Sequence, residues 1–129
     1  MDYLLDTCAL IELLFEPDRL SPTAQEIIES DASLAVSIAS FWEIMIKQQI
    51  GKLGIKQTTA QELKSACDTL NIAVMHTSID QIDRIRTLPR YKDHGDPFDR
   101  LILCQAMDQN LPIITSDGKM ARYGVEIIW

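Results

Sequence analysis

Short apolar runs alternate along this chain with stretches whose apolar residues recur every three or four positions. The first kind predicts buried strands and the second amphipathic helices. Tyr3-Leu4-Leu5 is the first run, closed by Asp6. Thr7 to Phe15 follows with Ala9, Leu10, Leu13 and Leu14 at helical spacing, broken by Pro17. Ser21-Pro22 opens a second helix to about Ser30. Leu34-Ala35-Val36 is a second strand, and Ser37 begins a helix carrying Ile38, Phe41, Trp42, Met45 and Ile46 up to a stop at Gly51.

Thr59-Ala60-Gln61-Glu62 has the form of a capping box opening a helix to about Leu70. Ile72 to Met75 is a third strand. Thr77 caps a helix from Ser78 to about Leu88, stopped by Pro89. After a polar loop, Asp96-Pro97 starts a helix whose body is nearly all apolar. Leu111 to Thr115 is a fourth strand, with Pro112 at its entrance. Asp117-Gly118 turns into a short helical piece, and Val125 to Ile128 is a terminal strand. Apolar strands alternating with helices predict an α/β fold of three layers, α/β/α, around a central, mostly parallel sheet. The expected organisation is one domain over residues 1–129, with no repeat and no linker.

Composition adds limits. At 129 residues the chain is long enough for one proper core. No run is long enough to span a bilayer and no basic-then-apolar leader opens the chain, so the cytoplasm is expected. The three cysteines, Cys8, Cys67 and Cys104, lie far apart in apolar surroundings and read as buried free thiols. A net charge of −7 argues against a general nucleic-acid coating protein. It suits an acidic pocket that holds divalent cations, or a basic partner.

The acids supply the candidate chemistry. Asp6 directly follows the first strand, and Asp117 follows the fourth by one residue. Asp99 lies in the first turn of the helix begun by Asp96, where the helix dipole favours an ionised carboxylate. Topology puts all three on the carboxyl edge of the sheet, where open α/β sheets place their functional crevice. Each also has a plain role open to it: Asp6 as a helix cap, Asp117 in a turn, Asp96 and Asp99 in capping. Glu43, at the margin of its helix's apolar face, either pairs with Lys47 at i,i+4 or points into the crevice. Crowded carboxylates stay ionised only around a cation, and an all-oxygen set suits Mg²⁺ or Mn²⁺. Such an ion polarises phosphate and acidifies water, the chemistry of phosphodiester hydrolysis. The hydroxyls of Thr7, Ser40 and Thr115 could support ligating oxygens.

Several stretches together resemble the PIN-domain ribonucleases, and within them the VapC-type toxins of bacterial toxin–antitoxin pairs. They are Leu4-Leu5-Asp6-Thr7, Ser37-Ile38-Ala39-Ser40-Phe41-Trp42-Glu43-Ile44, Lys47 with Gly51-Lys52-Leu53, His94-Gly95-Asp96-Pro97-Phe98-Asp99-Arg100-Leu101, and Leu111-Pro112 through Thr115-Ser116-Asp117. The subgroup resembled is the one with the Asp-Pro-Phe-Asp-Arg signature; Cys8 and Cys104 depart from its usual residues. The resemblance implies a metal centre of Asp6, Glu43, Asp99 and Asp117, with Asp96 as a secondary candidate. It also implies Mg²⁺- or Mn²⁺-dependent RNA cleavage, a homodimer and a cognate antitoxin.

Lys47, Lys52 and Arg100 are candidates for contacting RNA phosphates. Arg90 and Lys92 are further basic residues before the acidic helix, while Arg84 and Arg86 read as a solvated face. His76 and His94 read as structural. A haloacid-dehalogenase-type phosphatase also begins strand-then-Asp, but it needs a second Asp where this chain has Cys8. The remaining alternative is an inactive PIN-like module that binds RNA or protein.

Overall fold

Five strands, β1 (Tyr3–Leu5), β2 (Leu34–Ser37), β3 (Ile72–Met75), β4 (Ile113–Ile114) and β5 (Ile127–Ile128), form one sheet. Their order is β3-β2-β1-β4-β5, and every pairing is parallel. The structure, a computed structural model, describes residues 1–129. Six α-helices accompany the sheet: α1 (Thr7–Phe15), α2 (Pro22–Glu29), α3 (Ile38–Gln49), α4 (Ala60–Thr69), α5 (Ile79–Asp83) and α6 (Pro97–Gln109).

The strands are apolar on both sides because both sides are covered. Leu5, Val36 and Ile114 face one cluster, with Leu10 of α1, Ala24 of α2, Ile44 of α3 and Leu63 of α4. Their neighbours Leu4, Ala35 and Ile113 face the other, with Ile102, Leu103 and Ala106 of α6. Period-two alternation thus divides each strand between two cores, which is the expected three-layer arrangement.

Most helix boundaries follow from their caps. Asp6, Ser21, Ser37, Thr59 and Asp96 each accept a backbone N–H at the start of the helix they precede. α3 ends in a Schellman turn: Gly51, at φ +71, donates to the Gln48 carbonyl and Lys52 donates to that of Lys47.

Five expectations need correction. The cap of α5 is Ser78, reciprocated by Gln81, rather than Thr77. The α-helix there stops at Asp83 and tightens into a 3-10 turn, Arg84–Thr87, because Pro89 drives Leu88 into extended backbone. β4 and β5 are two residues each; Leu111 N–H bonds back to Ala106 at the end of α6, so the strand starts later. Trp42 is 62% exposed instead of buried, its indole packing edge-on against Phe98 at 5.2 Å. Cys8, in the first turn of α1, is exposed, whereas Cys67 and Cys104 are buried as expected.

Candidate metal centre

β1 leads to β2 on one side of the sheet, while β4 lies on its other side, so the chain's direction of travel reverses between β1 and β4. A crevice opens at the carboxyl ends of strands at such a point. Asp6 leaves β1 there. Its Oδ1 caps α1 by accepting from Ala9 N at 2.8 Å, and its Oδ2 accepts from Thr115 Oγ1 at 2.5 Å. The cap reading of Asp6 holds, and its second oxygen is engaged by Thr115. Thr115 Oγ1 also accepts from Asp117 N at 2.9 Å, which ties the turn after β4 to the end of β1. Asp117 caps the 3-10 turn Gly118–Tyr123 through Lys119 N. On the other flank, Thr7 Oγ1 donates to Ser40 Oγ at 2.8 Å, joining the first turns of α1 and α3.

Glu43 is 3% exposed. Its Oε2 is bound by Lys47 Nζ, while Oε1 is buried with no hydrogen-bond partner. The ion pair is made, and it leaves the second oxygen buried and unpaired. Asp96 caps α6 at Phe98 N and Asp99 N, leaving the Asp99 carboxylate free to face the crevice.

The carboxylates influence one another strongly. Asp99 is raised to about 7, first by burial, then by the charges of Asp96, Glu43, Asp6 and Asp117. Here the helix dipole does not prevail: loss of water and four neighbouring anions outweigh it, so the expected preference for the ionised form is reversed. Asp6 is raised to about 6 by burial; the Thr115 and Ala9 hydrogen bonds oppose the rise, and Glu43 and Asp117 add to it. Lys47 ends above its usual value because the Glu43 hydrogen bond and charge outweigh the burial that would lower it. Loss of water at the crevice lip and the charges of Asp6, Asp99 and Glu43 push Cys8 up to about 12.

His94, which the sequence reads as structural, lies among the acids. It is 6% exposed, and its Nδ1 lies 2.9 Å from the Tyr123 hydroxyl. Nε2 lies 3.4 Å from Asp99 Oδ2 and 3.2 Å from Asp117 Oδ2. Donor atoms of His94, Asp99 and Asp117 all fall within 4.8 Å of one another. The available signal was position: His94 stands two residues before Asp96 and five before Asp99, next to Asp93. His76 is exposed at the end of β3.

The basic candidates have separate fates. Lys47 serves Glu43. Arg100 directs its guanidinium to the carbonyls of Pro89 and Leu88, holding the loop before α6. Lys52 is exposed beyond α3, and Arg84, Arg86, Arg90 and Lys92 are exposed as well.

The family model described as PIN domain matches residues 3–126. A comparison with curated protein sequences finds no match. Among solved structures, the chain resembles VapBC-1 from nontypeable Haemophilus influenzae, with TM-score 0.66 and 18% identity over 99% of this chain and 97% of that one. It resembles DNA-bound VapBC from Salmonella typhimurium with TM-score 0.68 and 15% identity, over 99% and 97%. A third is VapC20 of Mycobacterium tuberculosis, described as a sarcin-ricin loop cleaving toxin, with TM-score 0.65 and 15% identity over 96% of each chain. At such identities the likeness is one of fold. No helix is long and apolar enough to cross a membrane.

Proposed function

The chain belongs to the PIN-domain family, and on that premise we propose that residues 1–129 act as one divalent-metal-dependent endoribonuclease, the toxin of a type II toxin–antitoxin pair. The observation that supports this reading is that Asp99 and Asp117 bring donor atoms together beside His94, with Asp6 and Glu43 near enough to act on Asp99 by charge. Each of the other three carboxylates raises the pKa of Asp99. The residues suit a divalent cation: Glu43 Oε1 is buried without a partner, and the neighbouring carboxylates lack enough positive charge to balance them.

The proposed ligands are Asp6, Glu43, Asp99 and Asp117, with Asp96 as cap and nearby charge, for Mg²⁺ or Mn²⁺. Such an ion supplies polarisation of a phosphodiester and acidification of water. The chain's own groups do the rest. Thr115 holds Asp6 in place, and Thr7 and Ser40 lock α1 to α3 beneath the crevice. Lys47 offsets part of the negative field that would repel an RNA phosphate. Lys52 is exposed and is the proposed contact for the RNA backbone, whereas Arg100 shapes the loop.

VapBC complexes among the structural neighbours support an antitoxin partner, and the −7 charge suits a basic segment laid over the crevice. Exposed Trp42 and Ile82 border an apolar groove of about 270 Å³ with Ile38 and Leu101, a surface suited to a second copy of the chain. The cytoplasm is the proposed location. Sequencing RNA ends after induced expression tests the reading. Wild type is expected to create discrete new ends that an Asp99→Asn variant does not. Identical end profiles from the two proteins would overturn it.

A further inference from the structure

The ring of His94 is held from one side and free on the other. The Tyr123 hydroxyl has one proton, and its oxygen lies 3.2 Å from the His94 carbonyl, to which it donates. Nδ1 lies 2.9 Å from the same oxygen, and the tautomer protonated on Nδ1 satisfies both contacts with the one phenol proton. That tautomer leaves Nε2 with a lone pair. Nε2 is buried, makes no hydrogen bond, and points between the Asp99 and Asp117 carboxylates. Three ligand atoms thus lie within 4.8 Å of one another, a spacing that a metal ion between them would fit.

We propose that the ion of this centre is ligated by His94 Nε2 together with Asp99 and Asp117, and that this nitrogen makes the site prefer Mn²⁺ to Mg²⁺. The proposal rests on the metal-centre reading above and deepens it. Mg²⁺ takes oxygen ligands and keeps its waters, whereas first-row transition ions accept imidazole readily. Tyr123 is the positioning residue: its bond to Nδ1 fixes the ring and the tautomer, as outer partners of metal-bound histidines do. The edge-to-face contact of Tyr123 with Tyr91, at 5.0 Å between centroids, steadies that phenol in turn.

The test is pulsed electron paramagnetic resonance of the full chain loaded with Mn²⁺ alone. Unlabelled protein is expected to show ¹⁴N modulation from a coordinated imidazole, replaced by the ¹⁵N pattern when histidine is ¹⁵N-labelled. The signal should survive His76→Gln and vanish in His94→Gln. Mn²⁺ affinity should fall about 10-fold or more in His94→Gln, the scale of losing even a supporting partner, with Mg²⁺ affinity changing much less. The labelled wild type and His76→Gln decide the matter even if His94→Gln fails to fold. Mn²⁺ bound without nitrogen coupling, or coupling that persists in a folded His94→Gln, overturns the proposal and leaves the carboxylate centre standing. A chain that binds no Mn²⁺ overturns both.

Discussion

Thr115 donates a 2.5 Å hydrogen bond to Asp6 across 109 positions of sequence. The same hydroxyl accepts from Asp117 N at 2.9 Å. One buried side chain therefore fixes a carboxylate at the end of β1 and the backbone leading to another after β4. Thr115→Val keeps the shape but removes the donor and the acceptor, leaving Asp117 N–H without its partner. Loss of such bonds at a buried site is expected to cost about 1–3 kcal/mol. Urea unfolding should show a lower midpoint with an unchanged slope, and RNA cleavage should fall as Asp6 loses its orientation.

Stability without metal should run against the usual trend with pH. Asp6 and Asp99 have folded pKa values raised to about 6 and about 7, from 3.8. A group whose folded pKa is raised stabilises fully below its unfolded pKa, and that contribution is lost as pH rises through the folded value. The melting temperature of metal-free protein is thus expected to fall between about pH 4 and pH 7. Saturating Mn²⁺ should flatten the fall, since the cation binds the ionised form. Thermal melts across that range, with EDTA and with Mn²⁺, check both statements.

By the same linkage, Asp99→Asn should stabilise the metal-free protein at pH 7 while abolishing cleavage. Removing a carboxylate that folding forces toward protonation is worth roughly 1–3 kcal/mol, or several degrees in melting temperature. Parallel melting and cleavage assays distinguish this from a variant that is inactive because it is unfolded.

Glu43 and Lys47 should be strongly coupled. Lys47→Met leaves a buried carboxylate with neither oxygen paired and is expected to cost about 2 kcal/mol or more, allowing for the partial exposure of the lysine. Glu43→Gln together with Lys47→Met should cost less than the sum of the two singles. A double-mutant cycle by denaturant unfolding measures the difference.

Cys8 reports on the crevice. The thiol is exposed, yet its pKa is pushed up to about 12, by lost hydration first and then by Asp6, Asp99 and Glu43. Alkylation at pH 8 is expected to be slow for an exposed cysteine. Paired Asp6→Asn and Asp99→Asn substitutions should accelerate it by about threefold or more, because each unit of pKa is tenfold in thiolate. Cys67 and Cys104 are buried and should stay unlabelled until the chain unfolds.

Much of this was legible in the sequence because its signals are local. Asp6, Ser37 and Asp96 each mark a helix start within three residues, and the apolar runs they adjoin had to be strands or a buried helix. Parallel topology then placed Asp6, Asp99 and Asp117 on one edge. The rest depends on contacts distant in sequence. His94 sits in a loop without periodicity, and its partner Tyr123 is 29 residues away. The electrostatics of Asp99 were misjudged because its dipole is read from one helix, while its anionic neighbours come from four segments. Trp42 looked like core because helical spacing cannot tell a buried face from an apolar face left open.

The most direct measurement is cleavage of a defined RNA by purified wild-type protein, treated with EDTA and then given Mn²⁺, beside an Asp6→Asn, Asp99→Asn double variant. Cleavage is expected to stop with EDTA, to return with Mn²⁺, and to be absent from the double variant under every condition. Cleavage that persists in EDTA, or a folded double variant that cuts as wild type does, would contradict the account.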